Sequence, residues 1–233
     1  MAVFRLSDEI VFPSPDLAEE DGLLAVGGDL SEERLLLAYS LGIFPWYSEE
    51  MPILWWSPDP RLVLIPSEMR MSRSLRQTIR RRTYRVTFDT AFEKVITNCA
   101  AVPRRDGGGT WITDDMVEAY CRLHEDGFAH SVESWHGDEL AGGLYGVSLG
   151  AAFFGESMFS ERSDASKVAL AGLARRLGSL QGAFIDCQVV TAHLVSLGAR
   201  EVPRKKFTAM LRRALEAPFP PGKWESEESE KGL

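Results

Sequence analysis

The stretch that most limits the fold is residues 129–154. Residues 129–135 and 139–148 read as β-strands, the turn His136-Gly137-Asp138 joins them, and a third strand follows at 151–154. Strands linked by connections this short pair antiparallel, because a parallel crossover needs a dozen residues or more. Asp164 then starts a long amphipathic helix with Val168, Leu170, Leu173 and Leu177 as candidate buried residues. Between the third strand and the helix lies Gly155-Glu156-Ser157-Met158-Phe159-Ser160, into which the strand opens.

The helix is followed by Phe184-Ile185-Asp186-Cys187-Gln188-Val189-Val190, an interior strand by its apolar flanks. Asp186 and Gln188 interrupt it. Strand side chains alternate faces, so Asp186 and Gln188 are expected to share one space, with Ile185 and Val189 turned away. A carboxylate buried without a partner is costly, and an amide costs less. The two side chains either hydrogen-bond a neighbouring loop or line a polar pocket.

Residues 1–65 have a different texture. Phe12-Pro13-Ser14-Pro15 excludes regular helix, since each proline biases its predecessor to extended structure. Gly27-Gly28-Asp29-Leu30 is a turn, and Ser31 then caps a helix with Glu32 and Glu33 in its first turn, stopped by Gly42. Trp46, Trp55 and Trp56 sit in turn-rich sequence. Two of them are expected to fill a small core with little regular structure. Trp46, on the Pro-fixed turn Phe44-Pro45-Trp46, is suited to stack a base.

Further elements are expected along the chain. Residues 61–65 and 84–88 read as strands. Ser72 caps a helix reaching about residue 81; Asp89 caps one with Phe92, Val95 and Ile96 inward; Thr113 caps one carrying Val117, Tyr120, Cys121 and His124. Arg104-Arg105-Asp106-Gly107-Gly108-Gly109 is a loop, and no Gly-Lys-Ser/Thr follows to make it a P-loop. A helix at 191–197, a strand at Glu201-Val202 and a helix to about 216 close the chain, and residues after Pro218 are expected to be disordered. Antiparallel hairpins beside a helix crossover give an α+β fold. The division expected is a small N-terminal domain at 1–63 and a catalytic domain at 64–233.

No run of 18 apolar residues is present and the N-terminus lacks a signal-peptide core, so no membrane partner is expected. Cys99, Cys121 and Cys187 form neither a disulfide framework nor a zinc spacing, which fits a reduced, cytoplasmic protein. The net charge of −8 argues against a general binder of DNA or other nucleic acid. Yet residues 69–88 hold seven arginines and no acid. Arg73, Arg76 and Arg80 share one helix face, and Leu75 and Ile79 share another. A local basic patch on an acidic protein points to a docked polyanion.

Several short motifs recur together: Gly42-Ile43-Phe44-Pro45-Trp46, Leu54-Trp55-Trp56-Ser57-Pro58-Asp59-Pro60-Arg61, Gly109-Thr110-Trp111-Ile112, Gly155-Glu156-Ser157-Met158-Phe159-Ser160, Ala165-Ser166-Lys167 and Ile185-Asp186-Cys187-Gln188. In this order they resemble the bacterial leucyl/phenylalanyl-tRNA–protein transferases, over residues 11–207. The resemblance implies transfer of leucine or phenylalanine, and less well methionine, from aminoacyl-tRNA to proteins with N-terminal arginine or lysine, which marks them for N-end rule degradation. It implies a C-terminal domain like the GCN5-related acetyltransferases and no metal or free cofactor. It implies Trp46 and Trp111 on the terminal adenosine, with Tyr120 a weaker candidate. An apolar side-chain pocket would draw on Leu144, Phe153, Met158, Leu170 and Ile185. The arginine helix would meet the acceptor stem through phosphates.

The chemistry implied is attack of an α-amine on an ester carbonyl. That amine has a pKa of about 7.7–8.0, so modest base assistance and orientation suffice. Asp186, Gln188 and Glu156 are the candidate catalytic set, able to orient the amine, donate to an oxyanion and attract a cationic N-terminal residue. Two alternatives compete. An acetyl-CoA-dependent N-acetyltransferase needs a glycine-rich pyrophosphate turn, which Ser160-Glu161-Arg162-Ser163 does not supply. A non-catalytic RNA-binding module leaves Glu156, Asp186 and Gln188 without a task.

Overall fold

The structure is a computed structural model that describes residues 3–102, 112–217 and 222–224. Its strands form two sheets. The smaller is built from β1 (Phe4–Leu6), β2 (Leu23–Gly27), β3 (Phe44–Pro45) and β4 (Leu54–Trp56), in the order β1-β2-β4-β3. The expected small core with little regular structure is therefore a sheet of very short strands. Proline and glycine hide such strands from a periodicity reading. Helix α1 (Glu32–Ser40) follows β2; Ser31 stands at its start, but its hydroxyl makes no capping bond. Trp55 is fully buried in this part, Trp56 is half-buried, and Trp46 is 38% exposed.

The larger sheet begins at β5 (Arg61–Leu64) and adds β6 (Arg85–Phe88), β7 (Ala129–His136), β8 (Glu139–Leu149), β9 (Ala152–Ser160), β10 (Phe184–Gln188) and β11 (Arg200–Val202). Its order is β11-β5-β10-β9-β8-β7-β6. The chain thus passes from one sheet to the other between Trp56 and Arg61. The meander β7-β8-β9 pairs antiparallel as its short turns require. β9 and β10 pair in parallel, across the crossover made by helix α5 (Ala165–Leu177). Strand β9 runs on through Gly155 to Ser160 rather than opening into a loop.

Neighbouring glycines show which helices cover which face. A Cβ on Gly142 would meet Ala165 and Ser166 of α5, and one on Gly143 would meet Val95. Val95 belongs to α3 (Phe92–Ala101), so α5 and α3 lie on opposite faces of the sheet. Helix α4 (Asp114–Glu125) packs with α3 and is capped by the Thr113 hydroxyl, which accepts from Met116 N. Helix α2 (Arg73–Arg80) is capped in the same way by Ser72, which accepts from Leu75 N. Helices α6 (Ala192–Ser196) and α7 (Arg204–Leu215) complete the fold.

Two further expectations fail. Asp89 does not cap α3, whose first turn follows Ala91. Its carboxylate accepts instead from Ser131 N at 2.9 Å and bonds His130 Nδ1 at 2.8 Å, tying the start of α3 to β7. The segment after Pro218 is also not structureless throughout, because Trp224 is buried at 3% exposure. A polar, proline-rich tail concealed one aromatic anchor. The acidic residues Glu225, Glu227, Glu228 and Glu230 and the loop 104–108 lie outside the described residues. Among the described residues no helix is long and apolar enough to cross a membrane.

Candidate active site

Two irregularities on neighbouring strands create the site. On β9 the register with β8 shifts, so that Tyr145 faces Ser157 and Gly146 faces Gly155, leaving Glu156 as an extra residue. On β10 the register with β5 shifts between Asp186 and Gln188, leaving Cys187 extra. The β9–β10 pairing itself stops at Phe154 and Asp186. Beyond that point one hydrogen bond joins the two strands by side chains: Gln188 Nε2 donates to Glu156 Oε1 at 2.7 Å.

A cavity of about 420 Å³ opens where the strands part. Its apolar wall includes Leu144, Phe153, Met158, Leu170, Leu173 and Ile185. Trp46 stands at this cavity with Phe44 and Pro45 and contributes the largest exposed ring, tilted against Trp56 at 5.7 Å. The polar end holds Glu156 and Gln188. Leu170 and Leu173 come from α5, whereas Glu156 faces tyrosines of α1 and α4, so the cavity draws on both sides of the sheet. Only a gap between strands permits that.

Glu156 is buried and accepts three hydrogen bonds. Tyr39 OH donates to Oε1 at 2.8 Å, Tyr120 OH to Oε2 at 3.2 Å, and Gln188 supplies the third; the two tyrosine hydroxyls also touch. Burial pushes the Glu156 carboxyl up to about 7, against the three hydrogen bonds that pull it down, and the Asp186 charge adds to the rise. Tyr39 and Tyr120 are themselves pushed up, first by burial and then by the Glu156 charge. Tyr120 thus lies beneath the carboxylate and is not a lining residue of the cavity.

Asp186 is placed differently from the expectation. It does not line the cavity; its carboxylate meets Arg61 in two hydrogen bonds, Nε to Oδ1 at 2.8 Å and NH2 to Oδ2 at 2.7 Å. Phe44 and Phe207 flank that guanidinium, each ring centroid 4.7 Å from its carbon. Ile185, Cys187, Gln188 and Val189 line the cavity instead. Period-two alternation fails because Gln188 is left-handed at φ 61°, a turn that swings its side chain back toward β9. Such a backbone costs about 1–2 kcal/mol. The hydrogen bond from Gln188 N to Asp186 Oδ1, at 2.9 Å, offsets it.

Arg73, Arg76 and Arg80 are exposed on α2, as a polyanion contact requires. Trp111 lies outside the described residues. Sequence reading missed Tyr39, Arg61 and His193. In sequence Tyr39 is one more apolar position of α1, beside Leu35 and Ala38, and Arg61 is the polar end of a strand. His193 sits among the lining residues, and burial lowers its pKa. Only the run of polar residues in an otherwise buried strand, Asp186 and Gln188, could have announced that charged partners lay nearby.

Comparison with known proteins bears on this geometry. The family model described as leucyl/phenylalanyl-tRNA protein transferase matches residues 63–212, and that of the family's N-terminal domain matches residues 28–59. The chain belongs to the leucyl/phenylalanyl-tRNA–protein transferase family. It is therefore an aminoacyltransferase. The relative named leucyl/phenylalanyl-tRNA–protein transferase from Desulfatibacillum aliphaticivorans is 61% identical over 233 residues, all of both chains. That from Anaeromyxobacter dehalogenans strain 2CP-C is 62% identical over 227 residues, covering 97% of each chain. A third, from Anaeromyxobacter sp. strain Fw109-5, is 61% identical over 97% of this chain and 96% of its own. The alignment with the Desulfatibacillum aliphaticivorans relative thus runs through the residues of the small sheet, the cavity and the arginine helix alike.

Proposed function

We propose that the protein transfers leucine or phenylalanine, and methionine less well, from aminoacyl-tRNA to the α-amine of proteins beginning with arginine or lysine, in the cytoplasm and as a mark for N-end rule degradation. The observation that carries the reading is the Glu156–Gln188 hydrogen bond at the polar end of an apolar cavity. A cavity of about 420 Å³ has the size of a small-ligand site. Leu144, Phe153, Met158, Leu170 and Ile185 suit an unbranched-at-Cβ apolar side chain, and Trp46 suits the terminal adenine. The mixed sheet, with a parallel pair parting beside a bulge, supports a catalytic domain of the GCN5-related acetyltransferase type.

In the reaction the amine nitrogen forms a bond to the ester carbonyl, the carbonyl–ribose oxygen bond breaks, and the amine proton ends on the ribose oxygen. Gln188 Nε2 carries two hydrogens, and Glu156 engages one. The second can donate to the oxyanion that develops on the carbonyl. A carboxyl poised at about 7 can accept the amine proton and return it near neutral pH. Asp186, bonded to Arg61 and to Gln188 N, acts through Gln188 as a positioning residue. Arg73, Arg76 and Arg80 hold acceptor-stem phosphates, and Trp111 joins Trp46 at the adenosine.

The test is transfer of labelled leucine from Leu-tRNA to a peptide beginning with arginine, with no coenzyme A present. Transfer is expected, and Glu156→Gln and Gln188→Ala should each suppress it. Activity that requires acetyl-coenzyme A would overturn the reading.

A further inference from the structure

Residues 222–224 return to the body of the protein. Gly222 N donates to Gly127 O at 3.1 Å, and Trp224 N donates to Asp89 Oδ2 at 2.6 Å. The Trp224 indole stacks flat on His130, with ring centroids 4.0 Å apart and planes 8° apart. The Arg176 guanidinium lies 4.6 Å from its centroid. Two further rings touch it: Phe88, and Phe153 at 5.8 Å. Phe153 lines the cavity and Trp224 does not, so the indole stands one layer behind the wall. The Phe153 ring is also pressed on Gly146, where a Cβ would come within 2.6 Å of it. Held by a glycine on one side and an indole on another, the ring has little freedom to retreat.

We propose that Trp224 is a specificity-determining residue: by backing Phe153 it sets the depth of the cavity, and so the size of aminoacyl side chain the donor site accepts. This rests on the reading of the cavity as the seat of the donor side chain. Interiors are close-packed, and neighbours relax into space left by a deleted ring. Hydrophobic pockets discriminate by shape, with one methylene worth tenfold or more, so a small retreat of Phe153 is enough to alter the choice. Trp224 lies outside the stretch 63–212 matched by the family model, and it reaches the cavity only through the fold.

The experiment compares kcat/KM for Phe-tRNA and Leu-tRNA in the full chain, in Trp224→Ala, in Trp224→Phe and in Phe153→Ala. The phenylalanine-to-leucine ratio should rise about tenfold in Trp224→Ala. It should rise less in Trp224→Phe, which keeps a ring. A loss of stability alone lowers both rates together and leaves their ratio untouched. An unchanged ratio in Trp224→Ala, or in Trp224→Phe should the alanine variant fail to fold, beside a shifted ratio in Phe153→Ala, overturns the backing role and leaves the donor cavity standing. If Phe153→Ala also leaves the ratio unchanged, both readings fall.

Discussion

Arg61 and Asp186, 125 residues apart in sequence, face each other through two parallel hydrogen bonds in a place neither shares with solvent. The carboxylate also accepts from the Gln188 backbone N–H. Removing one member of a buried ion pair strands the other, at a cost of about 3–5 kcal/mol. Arg61→Met should therefore lose stability on that scale in denaturant unfolding. Arg61→Met with Asp186→Leu should recover part of it. Equal stability for Arg61→Met and the original chain would show that the pair contributes nothing.

Asp186→Asn keeps the shape and loses the charge. If Asp186 positions Gln188 as proposed, the variant should lower kcat and leave the affinity for tRNA unchanged. Gln188→Ala should do the same. The double variant should be little worse than the more damaged single one, since both changes undo one arrangement. Additive losses in kcat would separate the two residues.

On the proposed reading, Glu156 should make both stability and rate depend on pH. Its folded pKa, about 7, lies above the ordinary value of 4.5, so the folded state binds the proton more tightly than the unfolded one. The stability this contributes is fully present below about 4.5 and is lost as pH rises through about 7, by roughly 1.4 kcal/mol per pH unit within that window. Glu156→Gln should flatten that slope in thermal unfolding measured from pH 4.5 to 8. In the rate profile, the limb near 7 should vanish from this variant, leaving the titration of the acceptor amine. A limb near 7 that survives Glu156→Gln belongs to another group.

The arginine face of α2 should serve affinity alone. Replacing Arg73, Arg76 and Arg80 by alanine should raise KM for tRNA and reduce the slope of log affinity against log salt by roughly 2–3. Transfer from a minimal aminoacyl-adenosine donor should be unchanged. A matching loss with the minimal donor would place the defect in the fold or the site.

Most elements were legible because their signals are local. The caps Ser72 and Thr113 and the turn at Gly137 each act on residues beside them. Leu144, Phe153, Met158, Leu170 and Ile185, implied by the family resemblance and not by local pattern, are brought by the fold to one cavity. What failed was the step from period to direction. Period two predicts that Asp186 and Gln188 agree, but the bulge at Cys187 and the left-handed turn at Gln188 separate them. Arg61, Tyr39 and Trp224 stayed hidden for a related reason. Each meets its partner from a distant part of the chain, Tyr39 at Glu156, Arg61 at Asp186 and Trp224 at Phe153, and a window of sequence holds no record of that partner.

The place of β5 between β10 and β11 has a consequence for how the protein is made. The ribosome releases Arg61–Leu64 early, yet both strands that flank it come from the last quarter of the chain. Until Phe184 has emerged, an apolar strand waits with both edges bare, a template for any stray strand it meets. Its pairing is among the least local in the molecule, and closing so long a loop is slow. The gap beside β10 is then among the last features to form, so a chain cut short lacks the cavity altogether.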